Sequence, residues 1–263
     1  MTLSGAIVDL DGTVYRGDHL LPGASDAIER LRAAGLSLLF FSNNPTKDGQ
    51  AYASHLSELG IDVHPDEACS AGVVTTEYLR GNHADDEVML IGSPGLRDQL
   101  VVADITLTTD PDATDVLVGS WTPAFDYEDM QTALRTVDEE TTFLGTDPDR
   151  WVPQADGERM PGSGAIINSL AATVGREPDA VLGKPSDAAL ELALERLGVP
   201  AEECLVVGDR LDTDLRMGDR AGMTTVLVLT GVCDRADVAR SDVDPDFVID
   251  GLDAIDDVLA TLE

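Results

Sequence analysis

The sequence predicts an α/β protein, a doubly wound parallel sheet with a smaller α/β domain inserted into it. Three observations carry this. Short apolar runs alternate with helical patterns along the chain. Those runs are continuously apolar, as in strands buried on both faces, rather than alternating polar and apolar. A middle stretch repeats the alternation with its own rhythm. The expected division is a larger domain from residues 1–81 and 178–263, and an inserted domain from residues 82–177.

Taken in order, "GAIVDL" reads as the first strand. "ASDAIERLRAAG" follows as a helix, with Ala24, Ile28 and Leu31 on one face and Gly35 as its stop. "LSLLFFSNN" is a second buried strand that ends in polar residues, and "KDGQAYASHLSELG" a second helix. The insert holds "EVMLIGSPGLRDQL", "DVLVGSWTPAFDYEDMQTALRTV" and "TTFLGTDPDRWVPQADGERMPGSGAIINSL". After it, "AVLGKP" is a strand. "SDAALELALERLG" is a helix capped by Ser186, with Leu190, Ala193, Leu194 and Leu197 on one face. "CLVVGD" is a strand, "TDLRMGDRAG" a helix, "TTVLVLTG" a strand and "DFVID" the last strand. "DGLDAIDD" reads as a solvated amphipathic helix. Met160, Met217 and Met223 are assigned to core, and Trp121 and Trp151 to packing.

The charge is unusual. The 263 residues carry 50 Asp and Glu against 17 Lys and Arg, a net charge of −33, and only two lysines, Lys47 and Lys184. In dilute solution such repulsion destabilises a folded chain, and strong salt screens it. With the acids spread along the chain, this reads as a halophile's surface, from a cell with a salty cytoplasm. Nucleic-acid binding is disfavoured, since no basic patch exists. Cys69, Cys204 and Cys233 lack CxxC spacing and read as reduced cytosolic fillers. His19, His55, His64 and His83 form no zinc pattern. No membrane span or secretory leader is expected, because the N-terminal apolar run ends at Asp9.

Ligands of an open parallel sheet bind beyond the carboxyl ends of its strands. Four polar clusters follow apolar runs directly: Asp9 with Asp11, Ser42-Asn43-Asn44, Gly183-Lys184-Pro185, and Gly208-Asp209 with Asp214. Each alone reads as an ordinary loop or acidic surface run; the conjunction at four strand ends points to a site. Asp9 and Asp209 suit Mg²⁺, which takes oxygen ligands and neutralises a phosphate's charge. Lys184 offers a compact cation, while Ser42 and Asn43 offer donors for phosphate oxygens. Asp9 and Asp11, two residues apart in extended chain, can face one crevice, one attacking phosphorus and the other shuttling protons. Gly12 allows the tight turn after them.

In this order "DLDGT", "SNN", "GKP" and "GDRLDTD" resemble the four motifs of the haloacid dehalogenase superfamily. The phrase "GTDPDRWVPQADGERMPGSGA" resembles the type IIA cap of its NagD-like branch, which includes p-nitrophenyl phosphatases, phosphoglycolate phosphatases and sugar-phosphate phosphatases. With the charge pattern, a haloarchaeal member is expected. The resemblance implies Asp9 as nucleophile and Asp11 as general acid and base. It implies Mg²⁺ held by Asp9, the Asp11 main-chain carbonyl and Asp209, with Asp214 holding metal-bound water. Ser42, Asn43 and Lys184 would bind the phosphoryl group of a small phosphorylated metabolite. The cap, Gly145 to Ala165 above all, would set the substrate, with Gly162 and Gly164 allowing close approach and Arg150 or Arg159 meeting an anion. Pairing through the cap is implied by relatives. One departure stands out: Asp147 lies where the branch commonly carries Asn. The alternatives are a non-catalytic phospho-ligand module, a phosphomutase or a dehalogenase. Asp11 argues against dehalogenation, because expelling an alkoxide needs an acid and expelling halide does not.

Overall fold

In the computed structural model, which describes residues 3–154 and 158–262, the first apolar run forms the strand Gly5–Val8. It lies inside a six-stranded sheet of order Phe247–Ile249, Thr224–Val228, Cys204–Gly208, Gly5–Val8, Ser37–Ser42, Ala68–Ser70. Gly5–Val8 runs parallel to both neighbours, with Val8 level with Val207 on one side and Phe40 on the other. This register brings Asp9, Asp209 and Ser42 out at the same end of three adjacent strands. Ala6, Val8, Leu38, Phe40, Leu205 and Val207 bury one face of the sheet. The alternate residues Ile7, Leu39, Phe41 and Val206 are buried too. Both faces of these strands are therefore dry, which is why their sequence runs are uninterrupted by polar residues. The expected helices form at Ala24–Ala33, Gly49–Glu58 and Asp187–Leu197.

The chain divides into two units. The first contains Met1–Ser42, Gly49–Cys69 and Ala189–Glu263, and the second Asn43–Asp48 and Ser70–Ala188. In the second, four parallel strands stand in the order Ala180–Val181, Thr142–Gly145, Val116–Gly119, Val88–Ile91. Leu117 and Phe143 pack with Ile166, Ile167 and Leu170 of the helix Ser163–Val174. The strand before Lys184, read from sequence as part of the larger sheet, is only Ala180–Val181 and pairs with Thr142–Gly145 instead. Its continuation is held there by Leu182 N–H on the Gly145 carbonyl, 2.9 Å. An antiparallel hairpin, Trp151–Pro153 with Arg159–Pro161, completes this unit. Residues 155–157, inside the stretch expected to set specificity, lie outside the described residues.

Residues 43–48 belong to the second unit because its helices close directly onto their backbone. A Cβ on Gly72 would come 2.4 Å from the Pro45 carbonyl oxygen, and one on Gly95 2.2 Å from that of Thr46. The Gln99 amide also donates to the Pro45 carbonyl, 3.0 Å. Only residues without a side chain permit such approach. Among the described residues, no helix is long and apolar enough to cross a membrane.

Candidate functional site

At the ends of the central strands of the first unit, Asp9, Asp209 and Asp214 bring carboxylate oxygens within 4.8 Å of one another, and all three residues are buried. Asp9 follows Gly5–Val8, and its N–H donates to Val207. Its Oδ2 accepts from the Thr13 hydroxyl at 3.1 Å. Asp209 follows Cys204–Gly208, and its Oδ2 accepts from Val232 N–H at 2.7 Å. Two glycines make room for it. A Cβ on Gly231 would fall 1.8 Å from that oxygen, and one on Gly12, whose φ is +89°, 2.6 Å from it. Asp214 is turned inward by a wide turn at Leu211–Leu215, in which Leu215 N–H reaches back five residues to the Arg210 carbonyl. Such insertions recur at functional sites. Gly208 admits it, since a Cβ there would be 2.4 Å from Asp214 Cβ.

The electrostatics follow from this crowding. Burial, then the charges of Asp9 and Asp214, push the Asp209 carboxyl well above the usual carboxylate range, with Arg210 acting in the opposite sense. Carboxylates this close either share protons or take up a cation. The donors are all carboxylate oxygens, which fits a hard divalent ion with a few carboxylate ligands and retained waters. Asp11 is not one of these three acids. It is exposed, and its Oδ2 lies 3.4 Å from the Tyr15 hydroxyl. Gly12 N–H donates to the Tyr15 carbonyl at 2.8 Å and closes the turn. Ser42 is buried at the end of Ser37–Ser42.

Asn43 and Lys184 are joined in the second unit. The Asn43 amide donates to the Lys184 carbonyl at 3.0 Å and accepts from Lys184 N–H at 2.8 Å. This reciprocal pair spans 141 positions of sequence and fixes the Lys184 loop. The Asn43 side chain is thus engaged in holding Lys184. Lys184 itself is 1% exposed, and a desolvated ammonium requires anionic or hydrogen-bonding company. Gly183 sits tightly here, as a Cβ would lie 2.8 Å from Asn43 Oδ1 and 2.9 Å from Asp147 Cβ.

Beside these residues the second unit holds a cavity of about 260 Å³, whose lining includes Asn43, Asn44, Trp121, Asp147, Asp149 and Met160. Trp121 and Met160, expected only to pack, thus form part of a cavity wall, while Met217 and Met223 are core. Asp147 is buried. Its Oδ2 lies 3.0 Å from the Thr146 hydroxyl, its Oδ1 accepts from Asp149 N–H at 3.3 Å, and Ser163 also bonds to it. Burial first, and Asp149 second, push its carboxyl up to about 8. Neither Arg150 nor Arg159 lines the cavity; Arg159 lies over the Trp151 ring at 3.8 Å. The space at Gly162 and Gly164 is filled by the chain's own backbone, the Asp149 and Pro148 carbonyls each 2.3 Å from a would-be Cβ.

Sequence reasoning did not find Thr13, Gly231, Val232, Tyr15 or Asp149. Thr13 and Tyr15 follow the first acidic pair directly. Gly231 and Val232 follow the strand Thr224–Val228, at the same end of the sheet as the other clusters, which was the available signal.

Comparison with known proteins places the chain among its relatives. A family model for haloacid dehalogenase-like hydrolases matches residues 6–106, and a second, of HAD-hydrolase-like proteins, matches residues 181–255. The sugar-phosphatase AraL of Bacillus subtilis is 31% identical over 249 residues, 95% of this chain and 90% of that protein. The structure of a p-nitrophenyl phosphatase from Archaeoglobus fulgidus superposes with a TM-score of 0.91 at 32% identity, covering 98% of this chain and 100% of that one. NagD from E. coli K-12 superposes with a TM-score of 0.86 at 27% identity, covering 96% and 98%.

Proposed function

Because the chain belongs to the haloacid dehalogenase-like hydrolases, in their NagD-like branch, we propose that it is a Mg²⁺-dependent phosphatase of small-molecule phosphomonoesters. Its substrates are of the sugar phosphate, phosphoglycolate or nucleotide class. The observation that carries this reading is the buried meeting of Asp9, Asp209 and Asp214 at the end of the central strand. Asp9, Asp209 and the Asp11 main-chain carbonyl would hold Mg²⁺, with Asp214 on a bound water; when bound, the ion cancels repulsion between carboxylate and phosphate and polarises the phosphoryl oxygens.

An Asp9 carboxylate oxygen attacks phosphorus, and the bond from phosphorus to the alcohol oxygen breaks. Asp11 gives that oxygen its proton. Asp11 then takes a proton from water as the water oxygen bonds to phosphorus and the Asp9–phosphorus bond breaks, releasing phosphate and restoring Asp9. The division of labour matches the environments: Asp9 is buried among acids, and Asp11 is open to solvent protons and steadied by Tyr15. Lys184, Ser42 and the Asn43 main-chain N–H bind the phosphoryl oxygens. The Asn43 amide keeps Lys184 in place. The free cysteines suit a reducing cytoplasm, where we place the protein.

The test is hydrolysis of p-nitrophenyl phosphate with Mg²⁺ in molar KCl. Turnover that disappears in Asp9→Asn, together with Mg²⁺-dependent capture of beryllium fluoride by the wild type, is the expected result. Undiminished turnover by Asp9→Asn overturns the reading.

A further inference from the structure

Tyr15 of the first unit joins two environments. Its ring belongs to the hydrophobic core, in one cluster with Val14, Tyr52 and Leu56, and the residue is 3% exposed. Its hydroxyl nevertheless meets the side chain of an exposed acid, with Asp11 Oδ2 3.4 Å away. A buried phenol calls for a hydrogen-bond partner. It donates at neutral pH, since a phenol ionises at about pH 10. Burial, then the charge of Asp11, push Tyr15 higher still. The contact is a long one; catalytic hydrogen bonds of this kind tighten once substrate is bound.

The main chain around Asp11 is held from several sides. Gly12 N–H donates to the Tyr15 carbonyl at 2.8 Å, and the Gly12 carbonyl accepts from the Thr230 hydroxyl at 2.6 Å. Tyr15 N–H reaches back to the Leu10 carbonyl at 3.2 Å. With the backbone fixed, the freedom left to Asp11 is rotation of its side chain, which a contact at the carboxyl restricts. Tyr15 is itself anchored. Its short strand, Tyr15–Arg16, pairs antiparallel with His19–Leu20. The His55 ring, on the helix Gly49–Glu58, meets the Tyr15 ring edge to face, with centroids 5.0 Å apart and planes at 88°. One rigid ring thus ties an exposed acid to the packed core. Proton transfer loses rate steeply when the groups are misplaced, so this tie has a kinetic consequence.

We infer that Tyr15 is a positioning residue for the proton transfers of Asp11, and that His55 backs it by fixing the plane of its ring. The inference rests on the phosphatase reading and deepens it. Tyr15 is given no contact with substrate and acts through the Asp11 carboxyl. Asp11 protonates the departing oxygen, so the contribution of Tyr15 grows with the basicity of that oxygen. p-Nitrophenolate departs readily without a proton. Phenolate, which takes up a proton at about pH 10, gains more from an acid.

The experiment measures kcat/KM of Tyr15→Phe for two esters of one ring, phenyl phosphate and p-nitrophenyl phosphate, with Mg²⁺ in molar KCl. Phe keeps the ring in the core and deletes the hydroxyl. The value for phenyl phosphate should fall by roughly tenfold more than that for p-nitrophenyl phosphate. In an Asp11→Asn background the same substitution should have no additional effect on p-nitrophenyl phosphate turnover, because the group it positions is gone. A merely structural role lowers both esters alike and persists in that background. Either result, or a ratio of the two esters unmoved by Tyr15→Phe, overturns the inference. His55 supplies a second arm. His55→Phe, which keeps an aromatic edge against Tyr15, should hold the ratio near its wild-type value, whereas His55→Ala should lower it by about threefold. Where Tyr15→Phe does not fold, this pair decides, and equal ratios in the two variants overturn the inference. If Asp9→Asn abolishes p-nitrophenyl phosphate turnover, such a failure counts against Tyr15 alone. If the wild type does not turn over p-nitrophenyl phosphate, the phosphatase reading falls and the role of Tyr15 with it.

Discussion

The protein buries acids in two places and handles them in opposite ways. In the first unit, Asp9, Asp209 and Asp214 aim carboxylate oxygens at a common point. In the second, the Asp147 oxygens are met by the Thr146 and Ser163 hydroxyls and by Asp149 N–H, and its carboxyl keeps its proton up to about pH 8. Both sets suffer the same desolvation. What differs is where the lone pairs point. Convergent oxygens create a place for a cation, whereas burial and the charge of Asp149, acting against the local donors, leave Asp147 to lose its charge by taking a proton. Acid count alone therefore says little in a chain with 50 acidic residues.

The largest effect is expected at Asp9. Asp9→Asn should lower kcat/KM for p-nitrophenyl phosphate by a factor on the order of 10³ or more, since it removes the attacking group itself. In the second unit, Asp147→Asn tests the protonated acid. Asp147 has its folded pKa raised to about 8 from an unfolded value near 3.9, so the stability it contributes is present below about pH 4 and is lost as pH rises to about 8. Asn shows no such loss. Urea unfolding should find the variant's stability relative to wild type rising by several kcal/mol between pH 4 and pH 8.5, at about 1.4 kcal/mol per pKa unit. A flat difference across that range would remove the contrast between the two acid sets.

A smaller effect sharpens the other side. Mg²⁺ at a hundredfold its Kd should stabilise the wild type by about 2.7 kcal/mol. Gly231→Ala, which drives a methyl group into Asp209, should abolish most of that gain in a thermal melt. The smallest effect per charge is the surface one. Raising KCl from dilute to molar should raise the denaturation midpoint steadily by screening the net charge of −33. Equal midpoints would remove the halophilic interpretation.

Much of the larger sheet was legible because its strands are buried on both faces, so Gly5–Val8, Ser37–Ser42 and Cys204–Gly208 announce themselves as unbroken apolar runs. Parallel pairing then forces their polar ends together, which made the meeting of Asp9 and Asp209 readable from position alone. Asp214 was less accessible, because its orientation depends on a wide turn with no distinctive residue pattern. The clasp of Asn43 on Lys184 was not legible, since a hydrogen bond across 141 positions leaves no local periodicity. The burial of Asp147 was also hidden. The sequence marks Asp147 only as a departure from the Asn common in the cap phrase, and one more Asp in so acidic a chain carries no sign of being buried.

The grip of Gly72, Gly95 and Gln99 on residues 43–48 bears on engineering. A chimera that swaps the inserted segment alone between relatives would seat foreign helices on a native six-residue strip, where any side chain in place of Gly72 or Gly95 collides with the backbone. The transplantable module is therefore discontinuous, and exchange of substrate preference by recombination must carry that short strip along with the main insert.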